Sequence, residues 1–113
     1  MKKIEAIIKP SKLSNVKDAL HEIGLSGMTV SDVKGFGRQR GQDGGLNSGH
    51  DYDDEFRVKI KIELIIEDKI VEKALEAIKN AAYSGKIGDG KIFIYTIDQV
   101  IRIRTGEKDS DAV

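Results

Sequence analysis

No cysteine occurs in these 113 residues, which removes disulfides, thiolate chemistry and sulfur-ligated zinc in one step. Excess charge of one sign is missing as well. Lysine plus arginine (19) balance aspartate plus glutamate (19), so no broad field is available to hold a nucleic-acid backbone or an anionic membrane, and any anion site must be local. Apolar runs such as Ala6–Ile8 and Leu64–Ile66 fall far short of a membrane span or a signal-peptide core. There are only two histidines, His21 and His50, and neither adjoins the glycine-rich segments described below. A phosphoryl-transfer enzyme needs a nucleophile or base at the phosphates, so this placement argues against catalysis. The expectation is an unprocessed cytoplasmic protein that is not an enzyme, binds no nucleic acid and does not insert into a membrane. Its length allows one domain over residues 1–113, because a chain of this size buries roughly two-thirds of its unfolded surface around one core.

Pro10, the only proline, follows an isoleucine-rich stretch over residues 3–8, which reads as a strand leaving a sheet. Leu13, Val16, Leu20 and Ile23 then recur at helical spacing, with Ser11 as an N-cap candidate and Gly24 as a stop. Residues 27–34 alternate as a second strand. In 57–66 the alternation is sharper: Val58, Ile60, Ile62 and Leu64 share one face, and Lys59, Lys61 and Glu63 the other. Asp68 is an N-cap candidate for a second helix, on which Val71, Leu75, Ile78 and Ala82 form a stripe before Gly85. Lys91–Tyr95 makes a fourth strand. The order β-α-β-β-α-β predicts an α+β, ferredoxin-like domain with an antiparallel sheet and both helices on one face. Ile7 and Ile65 put apolar side chains on the other face too, so that face needs a cover, and self-association supplies one.

Between Lys34 and Arg57 lies a long connection containing Gly35, Gly37, Gly41, Gly44, Gly45 and Gly49. Connections of that length in a compact domain are usually functional or unstructured. The acidic run Asp51-Tyr52-Asp53-Asp54-Glu55 suits a solvated segment better than a calcium loop, whose spacing is missing. Two segments carry anion chemistry: Gly35-Phe36-Gly37-Arg38-Gln39, and Lys86-Ile87-Gly88-Asp89-Gly90-Lys91. Glycines let backbone N–H groups approach phosphate oxygens, and an adjacent lysine adds a point charge. Taken alone, Gly88–Lys91 also fits an ordinary helix–strand turn, and it lacks P-loop spacing. Arg102 and Arg104 alternate with Ile101 and Ile103, which places both guanidiniums on one side of an extended segment, facing a polyphosphate or surface carboxylates.

Met1-Lys-Lys-Ile-Glu-Ala-Ile-Ile-Lys-Pro10, Gly27-Met-Thr-Val30, Val33-Lys-Gly-Phe-Gly-Arg-Gln39, Lys59-Ile-Lys-Ile-Glu63, Gly85-Lys-Ile-Gly-Asp-Gly-Lys-Ile-Phe93 and Val100-Ile-Arg-Ile-Arg-Thr-Gly-Glu107 resemble, in order and nearly end to end, the PII nitrogen-regulatory proteins. The resemblance implies a homotrimer that binds ATP or ADP with Mg²⁺ and 2-oxoglutarate in clefts between subunits. It also implies that they are reported to target proteins through a T-loop at about residues 37–56, in a single domain that ends in a C-terminal segment at about 98–113. By the same resemblance Gly88, Asp89, Gly90 and Lys91 cradle the phosphates, Arg102, Arg104 and Arg38 add charge, and Thr29, Gly35 and Gly37 frame the nucleotide beside Ile7 and Ile65. Gln39 helps hold Mg²⁺, while Lys59, with Gly88, meets 2-oxoglutarate. A dicarboxylate beside a triphosphate needs such cations to offset repulsion.

Tyr52 falls where many bacterial members carry a uridylylated tyrosine, but its surroundings, Asn47-Ser-Gly-His-Asp-Tyr52, depart from the family pattern. Ser48 stands where an arginine plugs the ammonium channel in transporter-binding members. The expectation is inefficient modification of Tyr52, and a partner other than, or additional to, an ammonium transporter. A divergent regulator of another transporter or metabolic enzyme, with the same nucleotide site, is the alternative.

Overall fold

The computed structural model describes residues 1–36 and 56–113. The strands are β1 (Lys2–Ile8), β2 (Thr29–Gly35), β3 (Arg57–Ile66) and β4 (Lys91–Thr96), and the helices are α1 (Leu13–Glu22) and α2 (Val71–Ala82). The sheet runs β2-β3-β1-β4, with every neighbour antiparallel. This is the expected β-α-β-β-α-β ferredoxin-like arrangement.

Strand alternation divides the sheet into two faces. Ile4, Ala6 and Ile8 of β1, with Ile60, Ile62, Leu64 and Ile66 of β3, point to one face and are buried. Val16 and Leu20 of α1, and Ala74, Ile78 and Ala82 of α2, close over them to form the core. The second helix buries Ala74, a position outside the stripe read from sequence, while Val71 and Leu75 lie half-buried at its edge. Gly24, at φ +90, ends α1. Its N–H donates to the His21 carbonyl at 3.0 Å and the Leu25 N–H donates to that of Leu20 at 3.0 Å, the paired bonds of a Schellman cap.

Neither N-cap expectation holds. Ser11 lies inside a 3-10 turn, Pro10–Lys12, that feeds α1, and no side chain caps the helix. Asp68 opens a second such turn, Asp68–Ile70, but its carboxylate receives the Met1 ammonium at 2.9 Å, a partner distant in sequence. That pairing holds the Asp68 carboxyl below its usual range.

Candidate ligand-binding site

At the Ile7–Lys91 end of the β1/β4 pair the open sheet face dips into a cleft of about 600 Å³. Ile7, Gly35, Phe36, Lys59, Lys86, Gly88, Asp89, Gly90, Lys91 and Phe93 line it. The sheet register explains the convergence: Ile7 pairs with both Lys61 and Lys91, and Lys59 with Val33, so β1, β2, β3 and β4 each deliver a residue to one corner. Three lysines stand there, which makes the corner locally cationic although the chain carries no net charge. With charges balanced over the whole chain, any anion site had to be local, and this corner concentrates positive charge.

The loop from Ser84 to Gly90 is tied from two sides. Lys59 Nζ donates to the Gly88 carbonyl oxygen at 2.8 Å. Burial, then repulsion from Lys9 and Arg57, pulls the Lys59 ammonium below the usual lysine range, against the opposing pull of Asp89. On the other side Asp89 Oδ2 accepts from the backbone N–H of Ser84 at 2.8 Å and of Gly85 at 2.9 Å. The Ser84 hydroxyl donates to Asp89 Oδ1, and Lys9 Nζ stands 3.2 Å from the same oxygen. These bonds, the Ser84 hydroxyl first, hold the Asp89 carboxyl far below the usual carboxylate range. Gly90, at φ +102, lies flat on β1, where a Cβ would come within 1.7 Å of the Ile7 carbonyl oxygen. No other residue fits there, so the floor of the cleft is backbone.

Of the residues singled out from sequence, Ile7, Gly35, Lys59, Gly88, Asp89, Gly90 and Lys91 come together in this cleft. Thr29 and Ile65 do not join them. They line a separate hollow of about 510 Å³ with Lys3, Gly27, Met28, Glu63 and Leu64, toward the opposite end of the sheet. Arg102 and Arg104 line neither hollow. Their extended segment is in fact a tight reversal: the Gly106 N–H donates to the Arg102 carbonyl at 2.8 Å and the Arg102 N–H to that of Glu107 at 2.8 Å. Arg102 Nε pairs with Glu107 at 3.3 Å, and the reversal leaves Ile103 almost fully exposed. Gly37, Arg38, Gln39, Ser48, His50 and Tyr52 lie outside the described residues. Lys9, Ser84 and the lining roles of Phe36 and Lys86 went unrecognised in the sequence. Lys86 and Phe36 sit in segments whose glycines drew attention, whereas nothing in the spacing marks Lys9 or Ser84.

The described residues contain no group of three or more His, Cys, Asp or Glu able to hold a metal, and no helix long and apolar enough to cross a membrane. Among the described residues that line the cleft the one carboxylate, Asp89, is engaged by its own loop and by Lys9. A divalent cation brought with a phosphate ligand would take oxygens from that ligand, as Mg²⁺ commonly does.

A ferredoxin-like sheet with a glycine-lined cationic cleft at one corner defines a small α+β protein with a pocket of the chemistry that suits an anion. The family model for nitrogen regulatory protein P-II matches residues 1–107. The chain is 62% identical over 113 residues to nitrogen regulatory protein P-II of Rhodospirillum rubrum, covering all of both chains. It is 53% identical to nitrogen regulatory protein P-II 1 of Escherichia coli K12 over the same full span. Among solved structures, Arabidopsis thaliana PII bound to citrate superposes with a TM-score of 0.81 at 39% identity, covering 99% of this chain and 91% of that one. The chain belongs to the nitrogen regulatory protein P-II family, whose members are signal-transduction regulators and not enzymes.

Proposed function

We propose that this regulator senses ATP or ADP together with 2-oxoglutarate, in clefts formed between the subunits of a cytoplasmic homotrimer, and signals to its targets through residues 37–56. One observation carries the reading. The residues that the family pattern assigns to a single nucleotide site lie at opposite ends of one sheet. Ile7, Gly35, Lys59 and Gly88–Lys91 stand at the Lys91 end of β4, and Thr29 and Ile65 lie toward the Thr96 end, beyond which the arginine hairpin follows. Strands rise about 3.3 Å per residue, so one small ligand does not span both groups. A second copy turned about a common axis brings one end against the other, and head-to-tail contacts of this kind close into rings. Such packing also covers the apolar part of the open face, including Phe93 and Tyr95, each more than two-fifths exposed.

Within the cleft, Lys91 and the glycine-flanked backbone suit a polyphosphate, and Lys59 suits a carboxylate. Mg²⁺, taken up with ATP and aided by Gln39, offsets repulsion between the two ligands. Citrate bound to the plant relative accords with a family site for polycarboxylates. Calorimetry with ATP, ADP and AMP, each with and without Mg²⁺ and 2-oxoglutarate, tests this directly. Lys91→Ala is expected to weaken ATP binding by about 1.5–3 kcal/mol, the worth of a charge-assisted hydrogen bond. By reciprocity 2-oxoglutarate tightens ATP by the factor by which ATP tightens it. Light scattering that gives a monomer mass at micromolar concentration overturns the trimer.

Output through Tyr52 and Ser48 is the departure from the usual pattern. The acidic flanks of Tyr52, and a serine where a channel-plugging arginine is expected, favour a target other than, or additional to, an ammonium transporter. Intact-mass analysis after incubation with a uridylyltransferase and UTP is expected to show little labelling. Stoichiometric labelling of Tyr52 rejects that part of the reading.

A further inference from the structure

Asp89 presents a physical conflict that the proposed nucleotide site must resolve. Its carboxylate braces the loop: Oδ2 accepts two backbone N–H groups, from Ser84 and Gly85, while Oδ1 accepts the Ser84 hydroxyl. An asparagine cannot accept at both positions, because one of its terminal atoms is a donor. The brace is therefore ionised, and it lines the same cleft as Gly88, Gly90 and Lys91, where a polyanion is to bind. A fixed negative charge in an anion site repels its ligand unless something offsets it.

Lys9 stands in the position to do so. It follows β1, and it reaches Asp89 because Gly90 lies flush against the Ile7 carbonyl and brings the loop onto the strand. Lys9 Nζ is 3.2 Å from Asp89 Oδ1 and donates to the Ser84 hydroxyl oxygen at 3.1 Å. Both side chains of the pair are mostly shielded, at 18% and 24% exposure, so the contact is screened less than a surface pair. Lys9 is not among the residues lining the cleft and meets Asp89 together with the Ser84 hydroxyl. Its charge and that of Asp89 act on the cleft's Lys59 in opposite senses, which places both within electrostatic reach of a ligand there.

Resting on the nucleotide reading above, we propose that Lys9 is a charge-compensating positioning residue. By neutralising Asp89, it lets a carboxylate brace the phosphate cradle without repelling the phosphates. A purely structural role for Lys9 affects every ligand alike, whereas charge compensation scales with ligand charge. ATP carries one negative charge more than ADP when divalent cations are absent, so loss of Lys9 penalises ATP the more, by about threefold for that added charge.

The experiment measures ADP and ATP affinities by calorimetry in chelator, on full-length wild type, Lys9→Met, Lys9→Arg, Asp89→Asn and the Lys9→Met/Asp89→Asn double variant. Lys9→Met is expected to lose about threefold more affinity for ATP than for ADP. Lys9→Arg keeps the wild-type ratio of the two affinities, and the double variant returns to that ratio even where both affinities fall. Asp89→Asn alone, which leaves Lys9 uncompensated, shifts the ratio toward ATP, and it carries the test if Lys9→Met fails to fold. Equal losses for the two nucleotides, or a ratio that stays altered in the double variant, overturn the compensation. A wild type that binds neither nucleotide overturns the site reading together with it.

Discussion

The two faces of the sheet obey different rules. Toward the helices every inward position of β1 and β3 from Ile4 to Ile8 and from Ile60 to Ile66 is aliphatic, and no polar or charged residue is buried there. On the open face aliphatic Ile7 and Ile65 share the surface with Lys3, Glu5 and Glu63. Lys3 Nζ pairs with Glu63 at 2.8 Å and lies 5.3 Å from the centre of the Tyr95 ring. The covered face is closed chemistry, satisfied by packing alone. The open face holds groups with residual charge and apolar area together, which is the composition of a surface that meets something else.

Breaking the covered face has the largest effect. Ile62, fully buried at the centre of the core, is expected to cost about 2–5 kcal/mol of stability as Ile62→Ala, read from urea unfolding at fixed protein concentration. At the seam between the faces, Gly90→Ala forces a side chain into a left-handed conformation against the Ile7 carbonyl. Its strain is about 1–3 kcal/mol before the clash is counted. The loop is expected to lift from β1, so that nucleotide affinity, measured by calorimetry, falls further than the melting temperature suggests. On the open face, Lys3→Met removes a partly exposed ion pair, and thermal melting is expected to show little or no loss of stability, because solvent screens such pairs.

The smallest change across the neutral pH range is the response to acid. Asp89 has its folded-state pKa depressed, so it contributes stability that is fully present above the ordinary carboxylate pKa and lost as pH falls through the folded value. The difference in melting temperature between wild type and Asp89→Asn is expected to stay flat above about pH 4 and to narrow only in stronger acid. A difference that narrows between pH 7 and pH 5 contradicts the brace.

Strand parity was legible because burial acts on alternate residues, and β3 reads off its own composition from Arg57 to Ile66. Gly88 and Gly90 were legible as backbone open to a phosphate or as an ordinary turn; that Gly90 is needed to lie against the Ile7 carbonyl was not, because the sheet brings that strand to it. The Arg102–Arg104 segment was misread because alternation of isoleucine and arginine has the same period in a strand as in one arm of a short reversal. The turn signal was Thr105-Gly106, with Gly106 at φ +76. Lys9 and Asp68 were illegible for another reason. Their partners, Asp89 and the Met1 ammonium, are brought to them by the sheet and not by local sequence. The separation of Thr29 and Ile65 from Gly88–Lys91 is likewise a matter of strand register, which one-dimensional motifs do not carry.

The rings of Phe36 and Phe56 meet with centroids 5.4 Å apart, one step beyond the last β2–β3 pair, Gly35 with Arg57. The contact fixes both ends of the segment 37–55 to one spot, whatever lies between them. Closing a chain across fixed ends costs only about 0.6 kcal/mol more for each doubling of its length. Residues there can accordingly be inserted, deleted or exchanged in evolution, or grafted in the laboratory, at little cost to the sheet. The aromatic pair works as a socket: the segment it closes is exchangeable, while the sheet and the cleft beneath keep their shape.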